Sequence, residues 1–174
     1  MQKLRWLTVS LLAPVTFWGC GETQAPNLDG SPFMAATVDG TRWVPGADPS
    51  ALYALLGAQR VILVARRPTQ QPAGEEILQV EFATTEIFRE RSYRLAADIS
   101  GFATFQVFTQ SPGGSVAFYT TTPDHAGTLT IQGASAQDSV VTGFFAFDAV
   151  SLSGSSAVHH FTGQFRVRYT TTVP

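Results

Sequence analysis

The chain has a single cysteine, Cys20, so it can build neither an intrachain disulfide nor a cysteine-rich metal site. Its 174 residues are enough to bury a core without such staples. Lysine is as scarce, Lys3 being the only one. Beyond residue 19, nine arginines stand against thirteen acids, a net charge of −4 with no basic stripe. A nucleic-acid partner asks for the opposite balance and is excluded. No G-x-S-x-G elbow surrounds a serine, and Gly113-Gly114 lacks the Lys-Ser/Thr that follows a phosphate-cradling loop. No amphipathic period runs longer than about two helical turns, so little helix is expected.

What is present begins with an apolar run, residues 6–18, preceded by Lys3 and Arg5 and followed by Gly19 and Cys20. A basic start, a short apolar middle and a small residue at the cut form the layout of an export signal. A membrane span needs about 20 apolar residues, whereas this run is shorter and interrupted by Pro14. Phe17-Trp18-Gly19-Cys20 resembles the lipobox of bacterial lipoproteins, with Gly19 at the cleavage position. Phe17 and Trp18 replace that family's usual Leu and small residue. The resemblance implies cleavage before Cys20, a diacylglycerol on its thiol and a further acyl chain (palmitate or similar) on the new amino terminus. The partner it implies is the membrane of a bacterial cell envelope, the outer membrane in a Gram-negative cell. The chain then divides into a signal peptide over 1–19, a lipidated cysteine and flexible polar tether over 20–31, and a single β domain over 32–174.

The domain opens with two β-prone runs around Asp39-Gly40, the strongest short-range hairpin signal, because a type I′ turn needs positive φ at both central residues. Residues 51–56 suit a short helix or a strand. Residues 60–65 are apolar on both faces, as in a central strand, and Arg66-Arg67-Pro68 should end it before a polar loop over 69–74. Residues 75–84 alternate, with Leu78, Val80 and Phe82 on one side and Gln79 and Glu81 on the other. Two more strands flank a Pro-Gly turn at 110–114. In the last third, three segments share a G-x-φ-x-φ layout starting at Gly127, Gly143 and Gly163, φ here meaning an apolar residue. Leu129, Ile131, Phe145, Phe147, Phe165, Val167 and Tyr169 fall on one face. Glycine at such positions marks a bulge or a close backbone approach. Short strands at this spacing argue an all-β fold, an antiparallel β-sandwich or barrel-like meander.

The segments Phe33 to Trp43 (F-x-A-x-V-D-G-x-x-W), Gly127 to Ile131, Val141 to Phe147 and Gly163 to Val167 resemble a β-rich family of uncharacterised bacterial lipoproteins. That resemblance implies a compact β domain facing outward from the envelope, and it carries over no catalytic residue.

Candidates for chemistry are few, and no cofactor is expected. His159 and His160 are adjacent, so on a strand they point to opposite faces and cannot share one ion. His159 should face inward, toward the side of Phe161, and His160 outward. His125 sits in a loop beside Asp124. A zinc site would need three or four converging ligands, so packing and surface histidines are the simpler reading. Glu75-Glu76, a potential carboxylate pair, reads as a loop edge. Arg66, Arg67, Arg89, Arg91 and Arg94 lie among Glu86 and Glu90 and read as a surface ion-pair network. The aromatics are the better lead. Trp43 is either core plug or rim, and Phe144 runs out of phase with Phe145 and Phe147, which aims it at the outer face. Both are candidate binding rings, for a glycan or a protein, against the reading that loops or residues 51–56 cover Phe144. A binding module of unknown ligand is the favoured function. A ligand-free structural envelope component and a hydrolase with a loop-built site are the alternatives.

Overall fold

The computed structural model describes residues 30–57, 59–70, 73–84, 89–110, 114–153 and 156–170. Cys20 and the export signal, most of the tether, Glu86 and Ser111 lie outside the described residues.

Alternation of apolar and polar side chains produces strands almost throughout. They are β1 (Phe33–Val38), β2 (Thr41–Trp43), β3 (Leu52–Leu56), β4 (Arg60–Gln70), β5 (Ala73–Ala83) and β6 (Arg91–Leu95). After them come β7 (Gly101–Thr109), β8 (Val116–Thr120), β9 (Gly127–Ser135), β10 (Val140–Ser151) and β11 (Val158–Thr170). The only helical turn among the described residues is a short 3₁₀ segment, Pro49–Ala51, capped by Asp48, whose carboxylate accepts from the Ser50 N–H at 2.8 Å. Between β1 and β2, Asp39 and Gly40 take φ of 51° and 77°, both in the left-handed region. This is the type I′ geometry that the dipeptide calls for.

The strands form one ladder in the order β2-β1-β11-β3-β4-β5-β7-β8-β10-β9-β6, and an additional β10–β11 pairing closes it. Two of the links are slight. β11 meets β3 through Tyr169↔Ala54 and Thr170↔Leu55, and β8 meets β10 through Val150↔Thr120 and Ser151↔Tyr119. The closed ladder therefore flattens into two layers, β2-β1-β11-β10-β9-β6 facing β3-β4-β5-β7-β8. Aromatic rings from both layers meet between them. Phe105 of β7 lies 6.4 Å from Trp43 of β2 and 5.1 Å from Phe161 of β11, and Phe82 of β5 lies 4.6 Å from Tyr93 of β6. The fold is all-β. All its pairings are antiparallel save β3–β11, which is parallel.

Two expectations are corrected, and one open alternative is decided. Arg66-Arg67-Pro68 does not end β4, which runs on to Gln70 opposite Ala73, so the loop expected over 69–74 is largely ladder. β3 pairs with β4 only up to Ala65, and beyond it no strand among the described residues lies on that side, only the Gly46 N–H, which donates to the Arg66 carbonyl at 2.7 Å. Proline, lacking an N–H, is tolerated along such an edge. Glu75 and Glu76 accordingly sit inside β5 and not on a loop. Residues 52–56 are strand, despite helix-favouring Ala and Leu, because pairing with β4 and β11 buries Tyr53 and Ala54.

Candidate binding face

Trp43 is core. Its side chain is 1% exposed, and its indole N–H donates to Glu76 Oε2 at 2.7 Å. The same oxygen accepts from Arg67 Nε at 2.9 Å, and the Arg67 guanidinium lies 5.4 Å above the indole centroid. The burial follows from the register. Trp43 opposes Ala36 on β1, one of the inward positions, so the small alanine leaves room for the ring. A buried indole needs a partner for its N–H, and Glu76 supplies one. Of the two readings of Trp43, rim is withdrawn, and with it any role as an exposed binding ring. Glu76 is held by these donors and is not half of a carboxylate pair, since Glu75 points to the opposite face.

Phe144 is the reverse case. Its neighbours Phe145 and Phe147 are buried at 1% and 2%, whereas Phe144 is 40% exposed and is the only exposed aromatic among the described residues. Among the described residues, neither a loop nor β3 covers it. Around it, outward positions can be traced across the layer through the registers. Ala35, Gln164, Phe144 and Thr130 form one row over β1, β11, β10 and β9. Arg42, Thr37, Thr162, Ala146 and Thr128 form the next, starting on β2. Short side chains on β1 and β11, with taller ones at Phe144 and Arg42, leave a shallow depression of about 770 Å³. Thr37 and Thr162 share a hydroxyl–hydroxyl bond of 2.8 Å on its floor. Arg42 is the only charged residue lining the depression, and it is exposed with no ion pair or hydrogen bond among the described residues.

Four other arginines contrast with it, whereas Arg66 and Arg168 are exposed as Arg42 is but do not line the depression. Arg60 pairs with Glu81, Arg67 with Glu76, and Arg94 with Asp98 at 3.3 Å, while Arg91 lies over Tyr93. Such surface pairs stabilise by at most about 1 kcal/mol each, but they occupy the cations.

The chain has no significant match among protein-family models, curated proteins or solved structures.

The histidines are engaged singly. His159, half-buried on the side of Phe161, packs edge-on against Tyr119 at 4.5 Å and shares Nδ1 with Asp39 Oδ2 at 2.6 Å. His160 points out and meets Asp148 at 2.6 Å. His125 closes its loop on the Thr122 hydroxyl. Among the described residues no three His, Cys, Asp or Glu side chains converge as metal ligands.

Asp39 fastens the β1–β2 turn to β11, accepting also from the His160 N–H at 2.8 Å. The His159 hydrogen bond, then that N–H, hold its carboxyl below the ordinary carboxylate pKa. A lowered folded-state pKa contributes stability that is present above the unfolded pKa and lost as pH falls through the folded one. Asp39→Asn preserves a residue suited to the left-handed turn but removes the charge. It is expected to lower the melting temperature modestly at pH 7, and the gap from wild type should shrink as pH drops below the normal carboxylate range. A gap that does not change with pH would refute this role for the charge.

Sequence reasoning found Phe144 by its phase but missed Arg42, Gln164 and the Thr37–Thr162 pair. Arg42 precedes an inward tryptophan and must therefore face out, a signal that was readable. Thr37 beside it belongs to the same hairpin, but Thr162 and Gln164 were not readable as its neighbours, because β1 and β11 pair residues more than a hundred positions apart.

Proposed function

We propose that the chain is a lipid-anchored protein of the bacterial envelope, acylated on Cys20, whose β domain is a binding module using the outer face around Phe144. The lipobox-like Phe17-Trp18-Gly19-Cys20 after a basic, apolar leader supports the anchor. Each buried methylene contributes about 0.8 kcal/mol, so one acyl chain holds marginally and two or more hold stably. The observation that carries the binding reading is the exposed phenyl ring of Phe144 beside an open depression, in a layer that turns Trp43, Tyr93, Phe145, Phe147, Phe161 and Phe165 inward. An exposed ring that borders an open, largely apolar hollow with hydroxyls, an amide and one charge around it supports an interaction site, which the ring alone would not.

Cys20→Ser should abolish acylation and move the protein out of the membrane fraction, as read by fractionation and mass spectrometry of the amino terminus. Wild-type protein in the soluble fraction, with its signal uncleaved or Cys20 unmodified, would sink the anchor. The binding reading is tested with a glycan array and the full chain in detergent. Phe144→Ala should remove the signals that wild type gives, and signals surviving that substitution would overturn the assigned face.

A further inference from the structure

We infer that the depression beside Phe144 takes an acidic sugar, a uronate residue of an anionic glycan. The inference rests on the reading of this face as a binding surface and adds the class of ligand. Three chemistries border the hollow at once. Phe144 offers an apolar face, the Thr37 and Thr162 hydroxyls with the Gln164 amide offer hydrogen bonds, and Arg42 offers a charge.

Each chemistry removes a class of ligand. A purely apolar occupant would strip water from the one O–H that the Thr37–Thr162 bond leaves over and from the Gln164 amide, and leave both unpaired. A small inorganic anion would satisfy Arg42 and leave Phe144 unused. A neutral sugar would stack its C–H face on the ring and bond the hydroxyls, but it would cover Arg42 without a counter-charge. A sugar with a carboxylate meets all three. The planar guanidinium donates to the two carboxylate oxygens as a fork.

The geometry allows it. Arg42 on β2 and Phe144 on β10 stand three strand spacings apart, about 14 Å at about 4.8 Å per strand. Only Ala35, Thr37, Ala146, Thr162 and Gln164 rise between them. The Thr37–Thr162 bond uses one of the two hydroxyl protons, so the pair keeps one O–H to donate and lone pairs to accept. At one end of this face Asp39 and Asp148 are each held by a histidine, and Glu90 lies on the far side of Phe144, in a neighbouring hollow that Arg42 does not line. Within the depression, Arg42 is the charge left for a ligand.

The test is titration calorimetry on the full chain in detergent, using short oligogalacturonates and oligoglucuronates, their methyl esters and a neutral oligoglucan. Wild type should bind at least one uronate series, and esterification should weaken that binding about tenfold or more. Arg42→Ala should impose a similar loss and no longer distinguish acid from ester, while Arg42→Lys should restore part of the preference. Phe144→Ala should weaken acid and ester alike. Both alanine variants should melt within a few degrees of wild type, since both side chains are exposed.

The acidic-sugar assignment falls if no uronate binds, if acid and ester bind equally, or if Arg42→Ala keeps the preference. Binding of the neutral oligoglucan that needs Phe144 but not Arg42 would overturn the acid and leave the face standing. Oligosaccharide binding untouched by Phe144→Ala would overturn both.

Discussion

Trp43→Ala is expected to cost about 3–5 kcal/mol, the range for deleting a large aromatic from a core. The indole is among the largest fully buried side chains and packs edge-on against Phe105 of the opposite layer. Its loss opens a cavity between the layers and takes from Glu76 one of its donors and from Arg67 the ring beneath it. Domains are stable by only about 5–15 kcal/mol, so such a loss consumes much of the margin. For a chain of this size the melting temperature should drop on the order of 10 °C. Trp43→Phe separates the two contributions, since it keeps a ring in the core and forfeits the indole N–H. It should cost less, about 1–3 kcal/mol. Urea unfolding followed by circular dichroism measures both. A Trp43→Ala protein within about 1 kcal/mol of wild type would show that Trp43 does not join the layers.

Gly143→Ala is expected to cost about 3 kcal/mol or more, beyond the ordinary range for one added methyl group. Gly143 sits where the β9–β10 register shifts, and a Cβ there would strike the Thr130 carbonyl and lie 2.9 Å from Phe165 Cζ. The carbonyl belongs to the β9 backbone and cannot withdraw without breaking the ladder. Phe165 is fully buried and has nowhere to turn. Gly40→Ala is the contrast. A Cβ at Gly40 meets nothing within 4 Å, but its φ of 77° is the left-handed region. That substitution should cost about 1–2 kcal/mol, from backbone strain alone. Equal losses at the two positions would refute the close-approach account of Gly143.

The alternation of the last third was enough to place Leu129, Ile131, Phe145, Phe147, Phe165, Val167 and Tyr169 on one face; the first six are buried and Tyr169 is partly buried against the core. Strand sides depend on a two-residue period that survives in any sheet, which is why they can be read without knowing the partner strand. Phe144 followed from the same period. Residues 52–56 and the run through Arg66, Arg67 and Pro68 were harder. Their local preferences pointed to helix or chain break, and pairing with distant strands overrode them.

By itself the sequence determined the all-β class, the Asp39-Gly40 hairpin, the inward face of the carboxy-terminal strands and the outward aim of Phe144. Each of these is a local property of period or turn chemistry. Tertiary structure alone decided that Trp43 is sealed against Glu76 and Arg67, that β11 draws in β1, β3 and β10, and that Arg42 is left facing an open hollow with Phe144. Those outcomes depend on which strands meet, and a contact between residues from tens to more than a hundred positions apart leaves no trace in the neighbourhood of either one.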